Sequence, residues 1–275
     1  MRQIQVRLLY KKESEEDKKL PKNYRPISLL SVDYKILSRI LANRMKSVLP
    51  KLIDSSQACC PGRHIGDQIH LVQSILHYAR TDNKKIGIIL LDFEKAFDSV
   101  DHGFLFRMLK ELGFPPNFIK LTHLAFTKTH ASLIINGKRT KGFDLPGGGR
   151  QGDNLFPLLF ALVVHGLTLA VKNTKLTGIS PHEKLFSLLD EPLRIIQYAD
   201  DTALFFNNPN DVLQYQEAVE LFCRASGMRI NWDKTLGIWA GKWANSPPNI
   251  PGLQFNFIGP NELTRYLGIM IGNPH

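Results

Sequence analysis

Ile195-Ile196-Gln197-Tyr198-Ala199-Asp200-Asp201-Thr202-Ala203-Leu204-Phe205-Phe206 is the stretch that decides the fold. Apolar residues run up to Tyr198 and resume after Thr202, which predicts two strands joined by a tight hairpin turn. Two neighbouring carboxylates at the tip of a buried hairpin repel each other unless a cation is held there. Taken alone, the Asp200-Asp201 pair fits a solvated turn as well as it fits a metal site.

A third acid repeats this arrangement upstream. Asp92 ends the apolar run over residues 86–91. Carboxylates at the ends of two apolar strands are what a two-metal phosphoryl-transfer site needs, because hard divalent cations about 4 Å apart can stabilise both the attacking and the leaving oxygen. The two positions together favour a chemical role over a solvated turn.

Composition indicates a globular protein with a basic face. The chain has 275 residues, 43% of them hydrophobic, and a net charge of +10. Residues 1–51 hold 13 Lys and Arg against 5 Asp and Glu, a net of +8. This segment is predicted to face a polyanion, with a solvated helix surface as the alternative. Three cysteines form neither a disulfide framework nor a metal-ligand pattern, and the N-terminus is charged from Arg2 onward, which is unlike a signal peptide.

The periodicity predicts helices packed against a few antiparallel strands, an α+β architecture. The predicted helices cover residues 29–49, 67–80, 104–112, 155–171 (buried on all sides) and 211–227. The predicted strands cover residues 1–9, 86–92, 133–135 and 266–271, beside the hairpin of residues 195–206, and a charged loop follows the first strand over residues 11–22. Asn136-Gly137 predicts a type I′ turn.

Seven short motifs follow one another along the chain. They are Asn23-Tyr24-Arg25-Pro26-Ile27-Ser28-Leu29, Pro61-Gly62-Arg63, Leu91-Asp92-Phe93-Glu94-Lys95-Ala96-Phe97-Asp98, Gly149-Arg150-Gln151-Gly152-Asp153, Tyr198-Ala199-Asp200-Asp201, the segment from Gly227 to Lys234, and Tyr266-Leu267-Gly268-Ile269. In this order, over roughly residues 20–271, they resemble the reverse transcriptase domain of LINE-type (non-LTR) retrotransposons.

The resemblance implies a right-hand polymerase with an antiparallel palm sheet packed on helices. Residues 1–85 would form the fingers region, with template and triphosphate contacts, and residues 86–275 the palm with inserted fingers elements, ending at the primer-supporting motif. The family's thumb would begin beyond His275, and the upstream endonuclease of many relatives is also absent. The expectation is therefore an excised or decayed piece of a larger protein.

The resemblance also implies the metal site. Asp92, Asp200 and the backbone carbonyl of Phe93 would hold Mg²⁺, with Mn²⁺ as an alternative, and Asp201 would be a more peripheral third acid. Mg²⁺ suits such a site because it prefers oxygen ligands and accepts substrate phosphates into its shell. Lys234 would protonate or stabilise the leaving pyrophosphate.

The remaining site residues are implied for substrate and primer. Phe97 would lie under the sugar of the incoming nucleotide and exclude a 2′-hydroxyl by a steric clash. Arg25 and Arg63 would grip the triphosphate, Arg63 being the better candidate, because guanidinium groups bind phosphate oxygens bidentately. The other implied contacts are Arg150, Gln151 and Gly152 for the nucleotide and template, and Tyr266, Leu267 and Gly268 for the primer end.

One position departs from the family pattern. Phe156 stands where family members commonly carry a small hydroxyl residue, which could disturb the nucleotide-template pocket.

The resulting hypothesis is an RNA-directed DNA polymerase core that acts on an RNA template, a DNA primer 3′-hydroxyl and dNTPs. No membrane is involved, and the location is intracellular, as a cytoplasmic ribonucleoprotein and in the nucleus. Two alternatives stay open: a decayed, catalytically weak fragment that only binds nucleic acid, and an RNA-copying RNA polymerase. Ala199 and Phe97 stand against the second, since those palms tend to carry Gly and a polar residue at the two positions.

Overall fold

The computed structural model describes residues 3–10, 20–127, 129–180 and 191–272. Its helices are α1 (Val32–Lys46), α2 (Leu49–Leu52), α3 (Ile65–Thr81), α4 (Ala96–Ser99), α5 (His102–Glu111), α6 (Pro116–Phe126), α7 (Phe156–Lys172), α8 (Asp211–Ser226) and α9 (Lys242–Asn245). Its strands are β1 (Gln3–Tyr10), β2 (Tyr24–Leu29), β3 (Lys85–Leu91), β4 (Thr129–Ile135), β5 (Lys138–Arg139), β6 (Phe143–Leu145), β7 (Ile195–Tyr198), β8 (Asp201–Phe206), β9 (Leu236–Gly241), β10 (Asn256–Phe257), β11 (Leu263–Tyr266) and β12 (Ile269–Gly272). Most of the charged loop predicted over residues 11–22 lies outside the described residues.

The chain divides into two compact units. The first contains Met1–Leu49 and Phe97–Phe160, and the second contains Pro50–Ala96 and Ala161–His275. In the first unit the strands follow the order β2-β1-β4-β5, with β6 also paired to β4. The predicted Asn136-Gly137 turn is confirmed, since both residues have positive φ angles, of 50° and 76°.

The sheet of the second unit has the order β10-β9-β3-β8-β7. Its centre is β3, which pairs antiparallel with β8 on one side and with β9 on the other. One face of this sheet buries alternate residues of β3 against α3, in a core that includes Ile86, Ile88 and Leu90 together with Val72 and Leu76. Side chains of β3 therefore alternate between the two faces of the sheet, although residues 86–91 are all buried.

Helix α8 packs next to the neighbouring strand β8. The Tyr215 hydroxyl donates to the Phe205 carbonyl at 2.7 Å, and the Tyr215 ring lies 6.5 Å from that of Phe206. Gly227 ends the helix with a φ angle of 76°, as the sequence predicted.

Helix α7 confirms the predicted helix over residues 155–171, although it is not buried on all sides. Its residues from Leu159 to Val164 are completely enclosed, whereas Leu169 is 41% exposed. None of the described helices is both long and apolar enough to cross a bilayer.

Two sequence predictions need correction. The single strand predicted over residues 266–271 is two strands: Tyr266 ends β11 and residues 269–271 belong to β12, while Leu267 and Gly268, with φ angles of 48° and 87°, form the turn between them. The helix predicted from residue 29 begins at Val32, and the residues before it form β2, which the sequence analysis missed. The predicted mixture of helices and sheets is confirmed, while the assignment of residues 1–85 and 86–275 to fingers and palm stays a prediction.

Candidate active site

Two strand ends bring the three predicted acids to one end of the second unit's sheet. In the β3–β8 pairing Leu91 lies opposite Thr202, so Asp92 and Asp201 leave the sheet at the same end. Tyr198 pairs with Asp201, which leaves Ala199 and Asp200 as a two-residue turn. The hairpin predicted from residues 195–206 is therefore confirmed.

The carboxylates at this end affect one another's ionisation. Burial raises the pKa of Asp92, and the charges of Asp200 and Glu94 add to this effect, while Lys234 opposes it. Partial loss of solvent also raises the pKa of Asp201, and the charges of Asp200 and Asp92 add to it. Like charges so arranged favour a divalent cation, because its binding would remove their repulsion.

Asp92 is fixed by the segment that carries Lys234. The backbone amide of Asn231 donates to the backbone carbonyl of Asp92 at 2.8 Å, and the backbone amide of Asp92 donates to the Thr235 hydroxyl at 3.3 Å. The Lys234 ammonium lies 4.0 Å from a carboxylate oxygen of Asp92, and its side chain is 71% exposed. Lys234 is thus close to the acids yet able to move.

The same segment determines the direction of the Phe93 carbonyl. Phe93 lies opposite Ile230 in an antiparallel bridge, while Glu94 and Asp92 make the two flanking hydrogen bonds. In this pattern the central residue bonds to neither partner, so its carbonyl faces away from the paired segment. The Phe93 carbonyl is therefore directed away from Ile230.

The turn that carries Asp200 has an unusual backbone. Ala199 adopts a φ angle of 55°, which costs a residue with a Cβ about 1–2 kcal/mol. Burial raises the pKa of the nearby Cys59 thiol, and the charge of Asp200 adds to this shift. Backbone hydrogen bonds of Gln197 hold the strand before the turn. Its backbone amide donates to the Ser56 carbonyl at 2.9 Å, and its backbone carbonyl accepts from the Ala58 amide at 2.8 Å.

Arg63 holds the loop that supports this hairpin. Its guanidinium donates to four backbone carbonyls within residues 50–57. The bond to Gln57 measures 2.6 Å, and Gln57 itself pairs with Gln197. Because all four acceptors belong to the protein, the guanidinium is engaged in fixing the loop, and triphosphate binding by Arg63 stays a prediction.

The predicted primer-supporting residues form the β11–β12 turn described above. Tyr266 is buried in the core cluster of the second unit, and its hydroxyl has no hydrogen-bond partner among the described residues. Burial raises the pKa of this phenol, and the charge of Asp201 adds to the shift. Leu267 and Gly268 follow it at the tip of the turn, where Gly268 is exposed.

In the first unit, Arg150 is buried rather than exposed to a substrate. One guanidinium nitrogen donates to the Ala125 carbonyl at 2.6 Å and to the Thr129 hydroxyl at 2.5 Å. The guanidinium also lies 4.6 Å from the ring centroid of Tyr34 and 5.6 Å from that of Phe126. These contacts fix the start of the glycine loop.

Gln151 and Gly152 continue this loop past the end of β2. The backbone carbonyl of Gln151 accepts a hydrogen bond from the backbone amide of Ser28 at 3.1 Å. Gly152 has a φ angle of 101° and is exposed, so the loop needs glycine there for its backbone conformation. Arg25 lies exposed on the neighbouring strand β2, opposite Leu9.

Phe97 belongs to an aromatic cluster of the first unit. Its ring stacks on Phe160 at 4.3 Å with an angle of 18°, and it lies 5.6 Å from Phe156. The Phe97 carbonyl accepts from the Gly149 amide at 2.7 Å. Phe97 keeps partial exposure, so one part of a rigidly supported ring faces solvent.

Comparison with known proteins identifies the chain. The family model described as "Reverse transcriptase (RNA-dependent DNA polymerase)" matches residues 10–271. The chain belongs to the reverse transcriptase family. The predicted resemblance to LINE-type reverse transcriptases is confirmed, because the relatives are non-LTR retrotransposon proteins.

Three of these relatives illustrate the match. The "Transposon TX1 uncharacterized 149 kDa protein" of Xenopus laevis is 34% identical over 261 residues, which cover 93% of this chain and 19% of the relative. The Pol polyprotein from the type-2 retrotransposable element R2DM of Drosophila melanogaster is 25% identical, with 91% and 24% covered. The "RNA-directed DNA polymerase from mobile element jockey" of the same species is 25% identical, with 90% and 27% covered. The chain thus spans under a third of the length of these relatives.

Solved telomerase structures share the fold. Telomerase from Candida albicans, in complex with a fragment of telomeric RNA, aligns with a TM-score of 0.64 at 11% identity and covers 98% of this chain and 44% of that one. Apo telomerase from Candida tropicalis, truncated from its C-terminal domain, aligns with a TM-score of 0.60 at 10% identity, with 98% and 53% covered.

Phe156, the departure from the family pattern, is accommodated in the core of the first unit. Its ring is completely buried and lies 5.6 Å from Phe126. A Cβ atom at Gly149 would come within 1.8 Å of the Phe156 ring. The larger side chain therefore requires the absence of one at position 149.

The sequence analysis missed the role of Asp153 at the end of the glycine motif. This buried carboxylate accepts hydrogen bonds from the Tyr34 hydroxyl, from the Ser38 hydroxyl at 2.7 Å and from the Leu155 amide at 2.7 Å. The position of Asp153 in the Gly149–Asp153 motif indicated that it has a role, but the motif does not reveal that its hydrogen-bond partners lie on α1. Asp153 joins α1 to the residues that begin α7.

Proposed function

We propose that this chain is the catalytic core of an RNA-directed DNA polymerase, which transfers nucleotides from dNTPs to a DNA primer 3′-hydroxyl along an RNA template. The observation that carries the proposal is the gathering of Asp92, Asp200 and Asp201 at one end of a five-stranded sheet. Family membership and the relative named as an RNA-directed DNA polymerase support the same activity.

The donor set fits Mg²⁺, with Mn²⁺ as a substitute. The carboxylates of Asp92 and Asp200 and the Phe93 carbonyl are hard oxygen ligands, which Mg²⁺ prefers. Among the described residues no group of three or more His, Cys, Asp or Glu side chains forms a metal-binding cluster. A set of two carboxylates and one carbonyl does not need a third acidic side chain, and Asp201 then acts from the periphery.

When bound, two such ions would lower the pKa of the primer hydroxyl and neutralise the leaving pyrophosphate. The chain itself supplies the positions of the ligands. Asn231 and Thr235 hold the backbone of Asp92, and Arg63 holds the loop that supports the Asp200 hairpin. Lys234 is exposed and lies near Asp92. Its ammonium would protonate the leaving pyrophosphate or stabilise its negative charge.

We assign the second unit's sheet with its carboxylates to the palm and the predicted fingers region to residues 1–85, with further fingers elements inserted in the palm. The hairpin that contains Tyr266, Leu267 and Gly268 supports the primer end, because its exposed turn allows close backbone approach.

The first unit contributes groups that select the nucleotide. Phe97, supported by Phe160, excludes a 2′-hydroxyl. Gln151 and Gly152 contact the nucleotide and template, and the buried Arg150 favours a positioning role that fixes their loop. Arg25 is exposed on β2 and is available for the triphosphate.

Primer extension tests the function directly. The purified chain should bind oligo(dT)-primed poly(rA), and the dissociation constant should rise steeply between about 50 and 200 mM salt because binding releases counterions. With dTTP and Mg²⁺ it should incorporate nucleotides at the primer 3′-hydroxyl. Fluorescence anisotropy measures the binding, and gel analysis with an excess of unlabelled trap measures the products.

Two outcomes would contradict this account. Binding that ignores salt would remove the electrostatic argument. No incorporation at high protein concentration, with either Mg²⁺ or Mn²⁺, would favour the fragment that only binds nucleic acid.

A further inference from the structure

A basic cleft lies in the second unit at the end of β3 opposite to Asp92. It is about 620 Å³ in volume and is lined by Lys84, Lys85 and Lys242 with neutral residues from neighbouring segments: Tyr78, Asn83, Ile86, Ile179, Ser180 and Asn207. Lys85 begins β3 and Leu91 ends it, so the strand separates the cleft from the acids by about 20 Å. The cleft therefore cannot share a nucleotide with the proposed catalytic site.

The backbone holds the three lysines together. The Lys242 amide donates to the Lys84 carbonyl at 2.9 Å, and Lys85 lies opposite Gly241 in the β3–β9 pairing. Gly241 has a φ angle of 60°, and a Cβ atom there would come within 2.1 Å of the Lys84 carbonyl and 2.2 Å of the Ala79 carbonyl. Only glycine permits this close approach, so the convergence of the lysines is built into the fold.

The charges of the cleft are all of one sign. The three lysines are exposed, and no acidic side chain is among the described residues that line it. One lysine ammonium, that of Lys84, lies 5.7 Å from the ring centroid of Tyr78. Such a cleft concentrates positive potential and attracts anions.

We infer that this cleft binds the phosphate backbone of RNA at a second place, remote from the catalytic acids. Lysines suit a backbone contact, because they act as mobile point charges and do not require one planar ligand geometry. The volume lies in the range of ligand sites. The inference rests on the proposed function in taking RNA as the ligand.

The test compares two variants that lose the same charge. The first is Lys84→Gln/Lys85→Gln/Lys242→Gln, and the matched control is Lys110→Gln/Lys141→Gln/Lys175→Gln, three exposed lysines that do not line the cleft. Binding of a labelled single-stranded RNA is measured over a salt series. The slope of log K against log salt should decrease by about 2 in the cleft variant, since each lost single-strand phosphate contact removes about 0.7. The control should keep a slope close to that of the parent.

A second measurement does not depend on variants. Acetylation of lysines, read by mass spectrometry, should slow at Lys84, Lys85 and Lys242 when RNA is added, while Lys110 stays reactive. Equal slopes in both variants, or no protection of the cleft lysines, would overturn the inference and leave the proposed function intact. Protection by pyrophosphate but not by RNA would also overturn it. A parent chain that binds no RNA would count against the proposed function as well.

Discussion

Replacing Asp200 by Asn should lower primer extension by about 1000-fold or more. The carboxylate is proposed to hold the metal ions that stabilise charge in the transition state, a contribution of several kcal/mol, and about 4 kcal/mol corresponds to this factor. Single-turnover extension at saturating primer-template, with Mg²⁺, measures the change. Asp201→Asn should lower the rate less, because Asp201 is proposed to act from the periphery.

The fold should survive the Asp200→Asn change. Asp200 is exposed at a turn, and its charge raises the pKa of both Asp92 and Asp201, so its removal relieves repulsion. Asp233→Asn, at an exposed acid in the segment next to Lys234, is the matched control and should retain activity. Stabilisation by Mg²⁺ in thermal unfolding should be present in the parent and the control and lost in Asp200→Asn. A variant that keeps a tenth of the parental rate or the full stabilisation by Mg²⁺ would refute the assignment.

Replacing Phe97 by Ala should reduce discrimination between deoxy- and ribonucleotides by roughly 100-fold, the order of selectivity that one hydroxyl in an apolar pocket provides. The ring is proposed to exclude the 2′-hydroxyl by contact, so its loss opens room for that group. Competition between dTTP and UTP, expressed as the ratio of their kcat/KM values, measures the effect. The dTTP rate should change much less than the UTP rate.

Stability must be separated from selectivity in this variant. Loss of the stack on Phe160 should cost about 1–3 kcal/mol of unfolding free energy, because the Phe97 ring is only partly buried. Leu109→Ala, which removes a fully buried side chain of α5, is the control and should lower stability with unchanged selectivity. If Phe97→Ala retains the parental dTTP/UTP ratio, another residue excludes ribonucleotides.

The sequence predicted the hairpin around Asp200 and the strand before Asp92 well, because their apolar runs end at acids that cannot stay buried alone. It failed where local chemistry misleads. Leu267 and Gly268 stand between Tyr266 and Ile269, which favour strands, so the turn with positive φ was missed. The strand β9 also went unrecognised, although Ile238 and Trp239 favour a strand, because Gly237 interrupts its apolar run.

Burial and partners of the basic residues could not be predicted. Motif position suggested triphosphate binding for Arg63 and a contact with the nucleotide and template for Arg150, yet the guanidinium of each donates to carbonyl groups of the protein. Such contacts depend on where backbone segments that are distant in the sequence meet in the fold. The amino-acid sequence alone does not reveal this. The strand pairing that brings Asp92 beside Asp201 is of the same kind, and only the resemblance to a family anticipated it.

The fit between Gly149 and Phe156 makes the two positions interdependent. Phe156 fills the space that a side chain at position 149 would occupy, so a Cβ atom at 149 requires a smaller residue at 156 or a displaced ring. A substitution of Gly149 must therefore be accompanied by a change at position 156, and this requirement limits which substitutions the loop that carries Gln151 can accept.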